Sequence, residues 1–233
     1  MTEDSEALKE DKAESFHSIV ATLLYLAKRA RPDVLCAVCF LATRVQCATE
    51  EDLEKVIRVL KYINGTKDLG ITLRCDKAMQ VRTYIDASYG VHADGKGHSG
   101  IFSTLGSGPI YVKSTKQKLN TRSSTEAELV AISDGLSPAI GHANFLEQQG
   151  YKRQPVILYQ DNQSTMKLVL KGKSTSDSTR HIGLRFFFVH DKVTNGEVKM
   201  EYMPTKSMIA DIFTKSILGA LFVWLRELLM GER

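Results

Sequence analysis

From Phe16 to about Lys67 the apolar residues recur at helical spacing; near residue 70 the period drops to two, and strands and helices then alternate to the end of the chain. The first stretch predicts helices over 18–29, 32–45 and 49–63. Thr49 with Glu50, Glu51 and Asp52 behind it is a helix-start signal, and Gly65 is placed to cap the far end of that helix. Beyond residue 70, G-I-T-L-R-C and Q-V-R-T-Y-I-D alternate as strands. Asp94-Gly95 makes a polar turn, and G-I-F-S-T-L and P-I-Y-V-K-S add two further strands of an antiparallel meander. A long helix over 124–149 leads to strand P-V-I-L-Y-Q, helix N-Q-S-T-M-K-L-V-L, a helical stretch over 182–193, strand V-K-M-E-Y-M, and closing helices over 208–217 and 221–230. Three meander strands plus two strands returned by helical crossovers make a mixed five-stranded sheet with flanking helices, an α/β fold. The expected organisation is a charged, disordered tail over 1–15, a small all-α segment over 16–75, and the sheet-bearing domain over 76–233.

Composition changes this picture little. The 233 residues, 43% hydrophobic, suit one large domain or two small ones, and a net charge of +4 is a weak hint of a polyanionic partner. The basic clusters at 113–118 and 171–173 read first as solvated surface. Cys36 and Cys39 form a C-x-x-C, but they lie in the continuous apolar run V-L-C-A-V-C-F-L-A, and no second C-x-x-C or histidine pair follows at zinc-finger spacing. Cysteine in such a run is a small hydrophobe, so Cys36, Cys39, Cys47 and Cys75 are expected buried and reduced. The first seventeen residues are acidic and polar, unlike a signal peptide, and the apolar runs fall short of the about 20 residues a bilayer span needs. A soluble, intracellular chain with no membrane partner is expected.

The candidate chemistry lies in four carboxylates: Asp86 in T-Y-I-D-A-S-Y-G, Glu128 in S-S-T-E-A-E-L, Asp161 in I-L-Y-Q-D-N-Q-S and Asp211 in M-I-A-D-I-F-T-K. Two of them close apolar strand-like runs and two sit near the start of apparent helices. A fold can bring such positions together to hold two divalent metals about 4 Å apart, an arrangement that cleaves phosphodiesters. The choice between Glu126 and Glu128 rests on capping. Ser123 and Glu126 have the spacing of a capping box, which gives Glu126 a structural task, while Glu128 lies about 200° further round the helix and directly precedes L-V-A-I.

The motifs Y-I-D-A-S-Y-G…G-K-G-H-S-G, S-S-T-E-A-E-L, Y-Q-D-N-Q-S and M-P-T-K-S-M-I-A-D-I-F-T-K, in this order, resemble the ribonuclease H domain of copia-type (Pseudoviridae) retrotransposon polyproteins. The helical front end, with F-H-S-I-V-A-T-L-L-Y-L-A-K-R-A-R-P-D and R-V-L-K-Y-I-N-G-T-K-D-L-G, resembles the thumb or connection segment that follows the polymerase palm in the same reverse transcriptases. The resemblance covers about Phe16 to Met230. It implies a ribonuclease H-like fold and a metal-dependent endoribonuclease that cuts the RNA strand of RNA–DNA hybrids, leaving 3′-hydroxyl and 5′-phosphate ends. It implies two Mg²⁺ ions, with Mn²⁺ as a substitute, on Asp86, Glu128, Asp161 and Asp211; Asp86 would bridge the two, and Asp211 would hold the ion that orients the attacking water. Gln163 matches a position that contacts the minor groove in this fold. Ser124 and Thr125 are further candidates for reading 2′-hydroxyls, and Arg122, Lys116 and Lys118 for phosphates. The implied partners are the hybrid and the palm and fingers of the polyprotein, in a cytoplasmic virus-like particle or the nucleus.

Two departures stand out. No Tyr-x-Asp-Asp polymerase hairpin occurs, so no polymerase activity is expected of this piece. The loop histidine that many ribonucleases H carry before the last aspartate is missing from M-P-T-K-S-M-I-A-D; His181 and His190 lie earlier and read as packed or surface residues. The rival from another class is a catalytically inactive ribonuclease H-like scaffold or nucleic-acid-binding module from a decayed or domesticated element, although decayed copies tend to lose acids and four remain here. A transposase or integrase on the same fold would place its glutamate on a late helix, whereas here the late acid is Asp211.

Overall fold

The computed structural model describes residues 6–172 and 180–232, with only the backbone of Arg180 and His181. The chain divides into two compact units, 1–71 and 72–233. The first is all-α: α1 (Glu10–Arg29), α2 (Leu35–Ala42) and α3 (Glu50–Gly65), with short 3-10 turns at Pro32–Val34 and Val45–Cys47. Phe16, Val20, Leu23 and Ala27 form the buried stripe of α1, and Val56 and Val59 that of α3. The start of α3 is a full capping box, Thr49 accepting from the Asp52 N–H and Asp52 from the Thr49 N–H.

Three expectations for this unit need correction. Within the expected disordered tail over 1–15, α1 begins at Glu10, and the chain before it is docked: Leu8 N–H donates to Ala48 O (3.0 Å) and Glu50 N–H to Glu6 O (3.1 Å). Gly65 does not cap α3. The helix runs through it, and the Thr66 hydroxyl takes the terminal carbonyl of Tyr62 instead (2.8 Å). Of the cysteines, Cys36 and Cys39 are half-buried and Cys47 is exposed; Cys75, in the second unit, is exposed as well, and none of the four is in a disulfide. Within the apolar run of α2, Leu35, Val38 and Leu41 are fully buried, and Cys36 and Cys39 lie on turns of the helix that remain partly open.

The second unit carries the sheet: β1 (Arg74–Cys75), β2 (Arg82–Ser88), β3 (His98–Thr104), β4 (Gly106–Ser107), β5 (Tyr111–Lys116), α4 (Ser124–Gln148), β6 (Val156–Gln160), α5 (Gln163–Lys171), α6 (Arg180–Thr194), β7 (Val198–Tyr202) and α7 (Gly219–Met230). The main sheet has the order β5-β3-β2-β6-β7; β2, β3 and β5 pair antiparallel, and β6 is parallel to both β2 and β7. This is the mixed five-stranded sheet expected. The stretch G-I-T-L-R-C contributes only the two-residue β1, paired with β4 in a separate ladder.

Side chains alternate across the sheet. Ile85, Ile101, Val156 and Leu158 face α4 and meet its buried residues Leu129, Ile132 and Leu136. Gly135 lets α4 settle onto the sheet, since a Cβ there would lie 2.5 Å from Ile85 Cδ1. Every residue of β3 is buried, so this strand is covered on both faces. The second cover is the turn Ile209–Phe213, which replaces the helix expected over 208–217 by a 3-10 turn buried at all five positions. It lies directly over Gly100, whose missing Cβ would stand 2.7 Å from Thr214 Cγ2 and 2.8 Å from Ala210 O. A turn enclosed on all sides has no polar face for an amphipathic helix to show solvent, and the tighter 3-10 winding fits over the glycine.

Candidate active site

The parallel pairing of β2 and β6 sets the first two carboxylates side by side. Tyr84 is in register with Tyr159, and their rings stack at 4.6 Å. Two residues on, alternation puts Asp86 and Asp161 on that same face at adjacent strand ends. Glu128 comes from the second turn of α4. Single carboxylate oxygens of Asp86, Glu128 and Asp161 all lie within 4.8 Å of one another. Asp86 and Glu128 are only 2% and 4% exposed, and Asp161 is half-buried.

Each acid is held. Thr205 Oγ1 donates to Asp161 Oδ2 (2.8 Å). Gln160, one residue before Asp161 and so on the α4 side of β6, donates from Nε2 to Glu128 Oε2 (3.2 Å) and accepts the Asp161 and Asn162 N–H groups on Oε1 (2.8 and 3.0 Å). The Ala87 N–H also binds Glu128. Thr214 Oγ1 donates to Asp86 Oδ2 in a short hydrogen bond, and Lys215 Nζ lies 3.4 Å from Asp86 Oδ1 and 2.8 Å from Asp211 Oδ1.

The turn that carries Asp211, Thr214 and Lys215 is itself anchored. Ser88 Oγ donates to Thr214 O (3.0 Å) and Ser114 Oγ to Phe213 O (2.7 Å). Because a carbonyl can only accept, the Ser114 proton points at Phe213. His98 Nε2 must then donate to Ser114 Oγ (2.7 Å), and His98 Nδ1 accepts from His92 Nε2 (3.0 Å). Burial, with His92 alongside, lowers the His98 pKa to about 3, which keeps this relay neutral.

The electrostatics are those of an uncompensated negative cluster. Among the described residues, the ion pairs of these four carboxylates all run to Lys215. Burial first, and the charges of Asp86 and Asp161 next, raise the Glu128 pKa well above the ordinary range. Burial likewise raises Asp86, against the pull of Lys215 and Thr214, and lifts Asp211 to about 7 with Asp86 adding to the effect. The Lys215 ammonium is opposed by burial, but Asp86 and Asp211 outweigh it and its pKa rises. Protons or cations must supply the missing positive charge. Hard carboxylate oxygens so close together, on rigid elements, fit Mg²⁺ or Mn²⁺ better than a softer metal.

The structure thus brings three of the four sequence-assigned acids into one group and sets the fourth, Asp211, beside it across Lys215. Glu126 is bound elsewhere: its N–H goes to Ser123 Oγ (3.2 Å), and its carboxylate accepts the Arg122 N–H (2.8 Å) rather than the Ser123 N–H that a complete capping box would use. Gln163 opens α5, two residues past Asp161, and is exposed; Ser124 and Thr125 open α4. Arg122 and Lys118 are exposed, whereas Lys116 is half-buried and pairs with Asp94 (2.8 Å). Asp94 lies in the turn expected of it, but Gly95 (φ 73°) takes the positive φ. His190 is packed, its Nδ1 against Val169 O (2.8 Å), and the His181 side chain lies outside the described residues, as does Lys173 of the 171–173 cluster. Sequence reasoning missed Thr214, Lys215, Gln160 and Thr205. Thr214 and Lys215 had a signal, since they follow Asp211 by three and four positions, where one helical face recurs.

No family model matches the chain. Among curated proteins it is 31% identical to the retrovirus-related Pol polyprotein from transposon RE1 of Arabidopsis thaliana over 204 residues, 87% of this chain and 14% of that protein. It is 26% identical to the transposon Ty1-JR2 Gag-Pol polyprotein of Saccharomyces cerevisiae over 212 residues, 88% of this chain and 12% of that one. The foamy viral protease-reverse transcriptase, solved in complex with an RNA/DNA hybrid, aligns with a TM-score of 0.52 and 13% identity over 83% of this chain and 25% of its own. RNase H1 from the archaeon Halobacterium salinarum aligns over 58% of this chain and 94% of its own, at TM-score 0.40 and 16% identity. The homologues of this chain are therefore Ty1/copia-type Pol polyproteins, of which it spans about one-eighth (14% and 12% of the two above), and its sheet-bearing unit has the ribonuclease H fold.

Proposed function

We propose that the unit over 72–233 is a metal-dependent endoribonuclease that cleaves the RNA strand of RNA–DNA hybrids during reverse transcription of a retrotransposon. Ribonuclease H-type nucleic-acid hydrolysis is supported by the fold together with the Pol homologues. The observation that carries the metal-dependent reading is the convergence of Asp86, Glu128 and Asp161, from a strand, a helix and a strand end, into one group, two of them buried and the third half-buried, with a surplus of negative charge. The foamy viral enzyme aligned above was solved on an RNA/DNA hybrid, which suits the same substrate class here.

In this reading Asp86, Glu128 and Asp161 hold divalent cations, with Asp211 completing the set. Such ions supply an activated water and stabilise the charge on the scissile phosphate. The chain's own residues do the rest. Gln160 and the Ala87 N–H fix Glu128, Thr205 orients Asp161, and Thr214 holds Asp86. Gln163, Ser124 and Thr125, at the exposed starts of α5 and α4, read 2′-hydroxyls across the wide minor groove, and Arg122, Lys118 and Lys116 neutralise phosphates, which makes binding salt-sensitive. The place of action is an intracellular virus-like particle, alongside the remainder of the polyprotein.

The test is cleavage of an end-labelled RNA–DNA hybrid with Mg²⁺, run beside double-stranded RNA. Wild-type chain should cut only the hybrid, and Asp161→Asn should keep its circular dichroism spectrum and lose cleavage. A fully active Asp161→Asn variant refutes the assignment; an inert wild-type chain favours the scaffold reading.

A further inference from the structure

We propose that the Lys215 ammonium stands in for one of the two cations, so that without nucleic acid the site takes a single divalent ion, at Asp86, Glu128 and Asp161. The place beside Asp211 is filled by Lys215 until the side chain withdraws. This inference rests on the metal-dependent reading given above and deepens it.

Three observations carry it. The oxygens of Asp86, Glu128 and Asp161 lie within 4.8 Å of one another, a group that leaves Asp211 out. Lys215 Nζ sits between the two aspartates, 2.8 Å from Asp211 Oδ1 and 3.4 Å from Asp86 Oδ1, where an ion shared by them would have to enter. Lys215 binds Asp86 Oδ1 and Asp211 Oδ1 together, so an ion shared by these two aspartates would compete with the ammonium for the same oxygens. The lysine side chain is nonetheless 39% exposed, against 2% for Asp86 and 9% for Asp211. Its stem reaches solvent while its head is bound, and a flexible four-carbon stem can swing out without disturbing the turn.

Charge favours exclusion over coexistence. An ammonium and a divalent ion on the same two carboxylates repel at close range in a poorly solvated site. One divalent ion plus Lys215 leaves four carboxylates with a deficit of one positive charge, and two divalent ions without Lys215 neutralise them. A phosphate entering the site offers the displaced ammonium a new partner, so substrate and the second ion arrive together, and Lys215 keeps the acids assembled in between.

The experiment is a Mn²⁺ titration of the full chain without nucleic acid, reading free Mn²⁺ by electron paramagnetic resonance. Wild type should bind one ion per chain and Lys215→Met two, with the added site at least tenfold tighter than any second site of the wild type. Adding Asp211→Asn to Lys215→Met should remove the added ion. Lys215→Arg, which keeps the charge, should stay at one. Two ions of like affinity on wild type overturn the inference, whatever the variants do, as does a folded Lys215→Met that still binds one. Absence of Mn²⁺ binding to both wild type and Lys215→Met overturns the metal-dependent reading beneath it.

Discussion

Each unit of this chain buries charge, and the two do it in opposite ways. In the helical unit, Arg31 forms a two-pronged pair with Asp33 (Nε–Oδ1 3.0 Å, Nη2–Oδ2 2.8 Å), with side chains 5% and 0% exposed. Both partners are engaged further: Arg31 also donates to Thr66 O and Oγ1, the Tyr62 hydroxyl donates to Asp33, and the guanidinium lies over the Tyr62 ring. The Asp33 hydrogen bond raises the Arg31 pKa against the opposing effect of burial. In the sheet-bearing unit four carboxylates share one lysine. Matched buried charge pins a helix end to a turn; mismatched buried charge stores a demand for cations. The mismatch, more than burial itself, marks the site.

The largest effect is expected at Glu128. Glu128→Gln should lower metal-dependent cleavage by more than the roughly hundredfold that loss of even a neighbour of a metal ligand can cost, while the metal-free chain melts higher near neutral pH because a repelling charge has gone. Hybrid cleavage and a calorimetric melt measure the two halves. At the matched pair the sign reverses. Arg31→Met leaves Asp33 buried and unpaired and should cost about 3–5 kcal/mol in urea unfolding, with the Mn²⁺ titre unchanged; the double variant Arg31→Met/Asp33→Leu should recover most of it.

A packing change sharpens the contrast from the other side. Gly100→Ala drives a methyl into Thr214, Ala210 and Phe213 and should cost about 1–3 kcal/mol. It also weakens Mn²⁺ binding, because the turn it lifts carries Asp211 and holds Asp86; a variant with wild-type Mn²⁺ affinity would show that this turn does not position the acids. The smallest effect is on pH. Asp211 is lifted from 3.8 to about 7 and Glu128 is raised as well, so between the unfolded and folded values the native chain binds more protons than the unfolded one. The contribution of these acids to metal-free stability is therefore fully present below about pH 4 and is lost as pH rises through 7. Saturating Mg²⁺ should flatten that slope, and Asp211→Asn should reduce it, in thermal melts taken at half-unit pH steps.

Much of this was legible from residue order. Asp86 and Asp161 each close an apolar alternating run, and a carboxylate at such a place is visible without coordinates. Glu128 could be told from Glu126 because capping chemistry claims the earlier residue, although Glu126 turned out to bind the Arg122 N–H. Lys215 and Thr214 stayed hidden because I-A-D-I-F-T-K reads as ordinary amphipathic helix, and only the bare surface at Gly100 shows why a tighter turn forms there. The order of residues 6–9 was missed for a similar reason. It comes from backbone docking onto Ala48 and Glu50, which no local composition announces.

The stacked tyrosines under the acids have a consequence for how copies of such an element decay. Tyr84 and Tyr159 hold the phase in which Asp86 and Asp161 share a face, and phase in a strand has only two values. Losing a single residue between Val156 and Gln160 would turn the second aspartate toward α4. Sliding the strand to restore it would turn Val156 out of the core. Such a copy would keep every acid and still be dead, so counting parity along β2 and β6 is a better test of a living element than counting carboxylates.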